Sequence, residues 1–275
     1  MCEKNAFKTL PAKVTKIVEE SPLIRTLRVK PEVAFHFETG QFAEFSVPNI
    51  GEGPFTPSSS QYDEGNLEFT IMKAGFVTEH IHKLREGDFV GLRGPFGSSY
   101  PIEKWQGKDI LIMGGGVGLA PTRSLFLSLL HTIEKYNSIT FLAGARTPTD
   151  MIYKDQIPNW QKMEKVNFFT AVDRVPEGET WDGEVCLITK LLEKIDISPK
   201  DNPVIVCGPP VMMKFGTLDL LKYGYEDKDI YLSMEKKMYC GHGQCRHCVM
   251  GEYYACKDGP VFTYEKIKNE ENIWE

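Results

Sequence analysis

Apolar positions over residues 7–100 fall in short runs rich in β-branched and aromatic side chains, punctuated by Gly and Pro. AKVTKIVEE, IRTLRVK, GQFAEFSVP, LEFTIMK and DFVGLRGPFG each read as a strand. Several short strands at this spacing predict a small barrel or sandwich. One interruption, from about Thr78 to Leu84, has helical character. From about Lys108 the pattern changes. Strand-like DILIM leads through a glycine run into helix-like TRSLFLSLLHTIEKY. SITFLAG, KVNFFTAV, a helix around Ile188–Lys194, PVIVCG, helix-like PPVMMKFGTLDLLKYG and DIYLS follow. Strands alternating with helices predict crossover units and a parallel sheet. The last forty or so residues are rich in Gly and Cys and must be held by something other than a core of their own. The pattern divides the chain at 1–101, 102–233 and 234–275, with no internal repeat or low-complexity segment.

The 275 residues suit two domains and a sizeable core. At 41% hydrophobic and 25% charged, the chain is neither disordered nor fibrous. Lys and Arg number 32 against 38 Asp and Glu, a formal net charge of −6, which argues against a nucleic-acid partner. No apolar run approaches the ~18 residues of a membrane span, so no membrane insertion is expected. The opening MCEKNAFKTLPAKVTK has no apolar signal core, and a cytoplasmic location is expected. Seven cysteines, four of them from position 240 onward, fit an intracellular metal site better than a secreted disulfide framework.

Those four, Cys240, Cys245, Cys248 and Cys256, have the spacing C-x4-C-x2-C-x7-C. C-x4-C-x2-C is the plant-type ferredoxin spacing, and four thiolates satisfy a [2Fe–2S] cluster. Gly241 and Gly243 let such a loop turn sharply and aim N–H groups at sulfur. The alternative is a structural zinc site, although zinc usually shows two paired C-x2–4-C knuckles and only Cys245/Cys248 makes a tight one. His242 and His247 read as solvent-facing or as supports.

Gly114, Gly115, Gly116, Gly118 and Pro121 follow strand-like DILIM and open a helix. Glycines here let the backbone approach a pyrophosphate, and the helix supplies N–H groups and the positive end of its dipole. Pro121 replaces the third glycine of the G-x-G-x-x-G pattern, and proline is well tolerated in a first helical turn. No G-K-[ST] follows, which excludes a P-loop nucleotidase. The acidic ribose reader expected about 20 residues further on is absent. Arg146, in Gly144-Ala-Arg146-Thr147, would meet a 2′-phosphate or the adenosine edge, so NADH and NADPH both stay open.

A barrel, the GGGVGLAP turn and Cys207-Gly208-Pro209-Pro210 together resemble the ferredoxin–NADP reductase superfamily. Met234-Glu-Lys-Lys-Met238, running into the cysteines, and Cys256-Lys-Asp-Gly-Pro-Val-Phe262 narrow the resemblance. The chain is similar to the B subunit of anaerobic sulfite reductase and the gamma subunit of sulfhydrogenases. It more distantly resembles the electron-transfer subunit of dihydroorotate dehydrogenase. The resemblance implies an FAD-binding β barrel over 1–101, an α/β NAD(P)-binding domain over 102–233 and a [2Fe–2S] tail over 234–275. It also implies a hetero-oligomer in which a catalytic redox subunit receives the electrons. The family's flavin strand R-x-[YF]-[ST] matches Gly53-Pro54-Phe55-Thr56, followed by Ser58 and Ser59, with Phe55 packing on the flavin and Thr56 hydrogen-bonding it. Glycine stands where the family has its phosphate-holding arginine, which leaves FMN open beside FAD. Gly75, Val77 and Thr78 match the second flavin element, with N–H groups and the Thr78 hydroxyl toward a pyrophosphate. Thr78 also reads as a simple helix cap. The Cys207 turn implies a thiol near the nicotinamide, without covalent chemistry.

The implied path runs from NAD(P)H as hydride to flavin, then one electron at a time through the cluster, or in reverse. No acid–base dyad or nucleophile triad stands out. The partner is expected to be of sulfite reductase or sulfhydrogenase type, docking near Tyr239–Tyr254. A dihydroorotate dehydrogenase or transhydrogenase partner, and a docking subunit without flavin turnover, are the alternatives.

Overall fold

The computed structural model describes residues 7–63 and 65–274. The first unit is a six-stranded antiparallel sheet of β1 (Leu10–Ser21), β2 (Ile24–Pro31), β3 (Phe42–Val47), β4 (Gly51–Phe55), β5 (Leu67–Met72) and, after helix α1 (Phe76–Ile81), β6 (Phe89–Phe96). The strand order is β4-β3-β6-β1-β2-β5. Successive strand residues face opposite sides, so Ala12 and Val14 of β1 turn inward while Lys13 and Thr15 face water. Val14, Leu27, Phe45, Phe69 and Leu92 share one core, which Ile81 of α1 also enters. The sheet therefore wraps around that core, as the short aromatic-rich runs predict.

The second unit is a seven-stranded sheet, six strands of which come before the C-terminal segment. Its elements are β7 (Asp109–Gly115), α2 (Leu119–His131), β8 (Ser138–Ala145), α3 (Ile157–Trp160), β9 (Val166–Val172), β10 (Glu184–Val185), β11 (Val204–Cys207), α4 (Pro210–Lys222) and β12 (Ile230–Ser233). Ile188–Lys194, expected as a helix, is one of the 3-10 type. The order β10-β9-β8-β7-β11-β12 is parallel throughout, so the chain reverses direction across the sheet between β7 and β11. Ligands of open parallel sheets bind outside the carboxyl ends of the strands at such a switch point.

The C-terminal segment forms β13 (Val249–Met250), β14 (Tyr253–Tyr254), β15 (Val261–Thr263) and α5 (Tyr264–Ile267). β15 pairs antiparallel with β12 and extends the second sheet. Met250, Phe262, Ile267 and Ile273 enter the core beneath α4. This shared burial is what holds a segment too small for a core of its own.

A polar seam fixes the two sheets to each other. Arg123 of α2 is buried, donates to the Ser58 carbonyl at 2.7 Å and pairs with Glu68 at 2.8 Å. Burial alone would raise the Glu68 carboxyl, but Arg123 and Arg28 bring it below its ordinary value. Among the described residues, no helix is long and apolar enough to cross a membrane.

Candidate functional site

The glycine run sits at the switch point. Gly114 pairs with Cys207 across β7 and β11. A Cβ on Gly118 would stand 2.6 Å from the Cys207 carbonyl oxygen and 2.7 Å from Gly208 Cα. A Cβ on Gly114 would press on Thr122 Oγ1 at 2.7 Å. Gly116 has φ +57° with open space beside it, a conformation that favours glycine. The sequence therefore uses these glycines for close backbone approach and a left-handed turn, and the structure brings Gly114–Gly118 and Cys207–Pro209 together. Pro121 lies in the first turn of α2. Thr122 Oγ1 donates to the Gly118 carbonyl at 2.9 Å.

Burial pushes the Cys207 thiol up to about 12, with the Ser233 hydroxyl opposing the shift, so it is a neutral thiol at physiological pH. Arg146 is exposed just beyond β8, one strand from the glycine turn. Its carbonyl accepts from Arg174 N at 3.2 Å. Burial raises the carboxyl of Asp173, beyond β9, while Arg146 and Arg174 pull it down. One acid and two cations thus line the strand ends next to the switch point.

Phe55 ends β4 half-buried, with its ring edge-on to Phe45 at 6.3 Å. Thr56 is half-buried beside it. Ser58 and Ser59 turn away from solvent. Ser58 Oγ lies 2.9 Å from Thr70 Oγ1, and Ser59 Oγ accepts from Glu68 N at 3.2 Å. The two serines thus belong to the seam between the sheets. Gly75 caps α1 with open space at its Cα, and Val77 lies 3.3 Å from where a Gly51 Cβ would be, so the α1 turn borders β4. The Thr78 hydroxyl accepts from Ala74 N and Gly75 N at 2.8 Å each and donates to Gly75 O at 2.9 Å. Its single proton is committed to the cap, which leaves the backbone N–H groups of the first turn as the donors an anion would meet.

The cysteine loop lies on the outer face of the first sheet. Phe42 and Phe96 pack with Met238, Cys248 and Cys256. Cys248 Sγ and Cys256 Sγ are 3.2 Å apart. Gln244 N and Cys245 N donate to Cys240 Sγ at 3.3 and 3.4 Å, and Gly243 N donates to Cys256 Sγ at 3.1 Å. Gly241 and Gly243 have φ +78° and +80°, the turns that aim these N–H groups inward. Burial alone would raise the Cys240 thiol, but the loop N–H groups and Cys245 outweigh it and bring it down to about 6. Burial, with Cys248 beside it, pushes the Cys256 thiol up. Both His242 ring nitrogens are within hydrogen-bond distance of local groups, Cys240 O at 2.7 Å and Gln244 Oε1 at 3.1 Å, and His247 is exposed against Tyr239. The thiols form two pairs, Cys240/Cys245 and Cys248/Cys256. Among the described residues, no three His, Cys, Asp or Glu side chains converge on a single-ion position.

Comparison with known proteins finds three family models along the chain. Residues 11–100 match the oxidoreductase FAD-binding domain, 112–217 the oxidoreductase NAD-binding domain, and 235–268 the iron–sulfur cluster binding domain of dihydroorotate dehydrogenase B. Sulfhydrogenase 1 subunit gamma of Pyrococcus furiosus is 35% identical over 261 residues, covering 93% of this chain and 89% of that protein. The chain belongs to this family of electron-transfer subunits. A probable dihydroorotate dehydrogenase B electron transfer subunit of Methanocaldococcus jannaschii is 31% identical over 268 residues, 95% of this chain and 92% of that one. The solved NADH-dependent reduced ferredoxin–NADP oxidoreductase, described for flavin-based electron bifurcation, superposes with a TM-score of 0.77 at 25% identity, over 97% of this chain and 91% of that one. The protein is thus an oxidoreductase-type electron-transfer subunit with FAD, NAD and iron–sulfur domains.

Sequence reading missed one group in this electron-transfer subunit. Glu44, Glu52 and Arg93 lie on adjacent strands β3, β4 and β6, on the outward face beneath the cysteine loop. Arg93 is 5% exposed and grips Glu52 through Nε at 3.0 Å and Nη2 at 2.5 Å. Glu44 is fully buried, and among the described residues neither of its carboxylate oxygens has a hydrogen-bond partner. Burial and Glu52 push its carboxyl up to about 8 against the pull of Arg93. The available signal was a charged residue inside each apolar strand, FAEFSV and FVGLRGPF.

Proposed function

We propose that this subunit passes electrons between a nicotinamide nucleotide at the β7/β11 switch point, FAD against Phe55 and Thr56, and a [2Fe–2S] cluster on Cys240, Cys245, Cys248 and Cys256. Together the flavin and cluster supply the exchange of a hydride pair for single electrons. Gly114–Gly118 and Pro121 would seat the pyrophosphate, Gly208 and Pro209 would border the nicotinamide, and Arg146 would meet the adenosine end. Cys207, held neutral by burial, would offer the nicotinamide a small uncharged surface. Gly75, Val77 and the first turn of α1 would receive the flavin pyrophosphate. With glycine at position 53, no arginine of that strand assists.

The observation that carries the reading is the sulfur arrangement. Two close thiol pairs, each receiving backbone N–H groups, suit two iron centres and lie against aromatic residues of the flavin domain. The division at 1–101, 102–233 and 234–275 follows the same three roles. The partner is a catalytic redox subunit, and the 35% identity to a sulfhydrogenase gamma subunit favours that type. The test is iron, acid-labile sulfide and flavin analysis of anaerobically purified protein, with electron paramagnetic resonance after reduction. Two irons, two sulfides and one FAD per chain, with one unpaired spin per two irons, are expected. One zinc and no sulfide would overturn the reading.

A further inference from the structure

Arg93 is a cation that joins the iron–sulfur loop to the flavin domain. Arg93 stands on β6 directly opposite Glu44 of β3. Its guanidinium is held in the plane of the Glu52 carboxylate by two hydrogen bonds, the fork geometry that fixes an arginine in orientation. So oriented, Nη2 also donates at 3.2 Å to the carbonyl of Tyr239, the residue before Cys240. Its Cζ lies 5.6 Å from the centre of the Phe96 ring. That ring is the floor of the loop: a Cβ on Gly241 would stand 2.6 Å from Phe96 Cδ2. Arg93 thus reaches both residues that flank Cys240, one through a hydrogen bond and the other through a shared aromatic ring.

We propose that Arg93, oriented by Glu52, is the positioning residue that docks the iron–sulfur loop on the flavin domain and raises the reduction potential of the cluster. The proposal rests on the reading that the four cysteines hold a [2Fe–2S] cluster. A cluster on four thiolates gains negative charge on reduction, so a fixed cation nearby favours the reduced form and a fixed anion opposes it. Arg93 lies within electrostatic reach of Cys240. A unit charge about 10 Å away at an effective dielectric constant of about 20 changes such an equilibrium roughly tenfold. Glu52 partly cancels that charge, so the two residues act with opposite signs on the cluster while both support the loop.

The opposite signs make the test specific. Full-length wild type, Arg93→Met, Arg93→Lys and Glu52→Gln are titrated anaerobically, with reduced cluster read by electron paramagnetic resonance. Arg93→Met is expected to raise the oxidised-to-reduced ratio at a fixed potential about tenfold. Glu52→Gln is expected to lower it, and Arg93→Lys to stay near wild type in potential while its spectrum changes because the fork is lost. A purely mechanical Arg93 would move both the Met and Gln variants in the same direction, and that result overturns the proposal. If Arg93→Met fails to assemble, Glu52→Gln and Arg93→Lys decide: an unshifted or lowered potential in Glu52→Gln, or a large fall in Arg93→Lys, overturns it. Wild type lacking labile sulfide would instead overturn the cluster reading, and the proposal with it.

Discussion

Gly118→Ala tests the switch point, because the new methyl group meets only backbone. Its Cβ would stand 2.6 Å from Cys207 O, 2.7 Å from Cys207 C and 2.7 Å from Gly208 Cα, where ordinary contact begins at 3.4 Å. The start of α2 and the Cys207 turn must therefore part by most of an ångström. Overpacking of this kind costs about 1–3 kcal/mol. Gly118 has φ −62°, which alanine adopts readily, so a loss of unfolded-state entropy returns about 0.4–1 kcal/mol. The net cost, at most about 2.6 kcal/mol, should lower the apparent Tm by up to about 10 °C, at the roughly 2–4 °C per kcal/mol typical of this size. The larger effect is on binding: a displacement of about 1 Å in a positioning element can cost about 10²-fold in the reaction it serves. Fluorescence titration with NADH and NADPH should show at least tenfold weaker binding, with flavin and iron content unchanged. If Gly118→Ala binds nucleotide as tightly as wild type, the close approach does not shape the site.

Other outcomes follow from the same geometry. Glu44 has a folded pKa raised from 4.5 to about 8, so the native state keeps a proton that the unfolded chain releases between those values. Its contribution is intact below about pH 4.5 and is lost progressively up to about pH 8, by at most about 5 kcal/mol. Urea midpoints of Glu44→Gln should pull ahead of wild type as pH rises from 5 to 9, and parallel curves would contradict this. Cys245→Ser should lose the iron while flavin and nucleotide binding survive; loss of all three would mean that the metal site supports the whole fold. Arg146→Ala should weaken the preferred nucleotide about tenfold, about 1.4 kcal/mol, in equilibrium dialysis. Unchanged affinity would remove Arg146 from the site.

Much of the fold was legible because local pattern and tertiary role agree. The glycine run, the cysteine spacing and the switch between short β runs and alternating β/α runs each mark a unit that the structure contains. The serines were less legible, since residues next to a flavin motif can equally serve the seam behind it, as Ser58 and Ser59 do through Thr70 and Glu68. Thr78 carries two compatible uses, and only the geometry shows its hydroxyl turned to Ala74 and Gly75. β15 was hidden because three residues, Val261–Thr263, become a strand only against the edge of β12. Arg93 and Glu52 are far apart in sequence, and nothing in either strand alone says that they meet beneath Cys240.

The most direct measurement of the electron path is anaerobic rapid mixing of the purified subunit with NADH and, separately, NADPH, with flavin and iron–sulfur absorbance followed on the same sample. Electron transfer within this chain predicts bleaching of the flavin band, followed by the iron–sulfur band, with one of the two nucleotides acting faster. Flavin that is fully reduced while the iron–sulfur band stays oxidised, at a potential where dithionite bleaches both, would contradict the account.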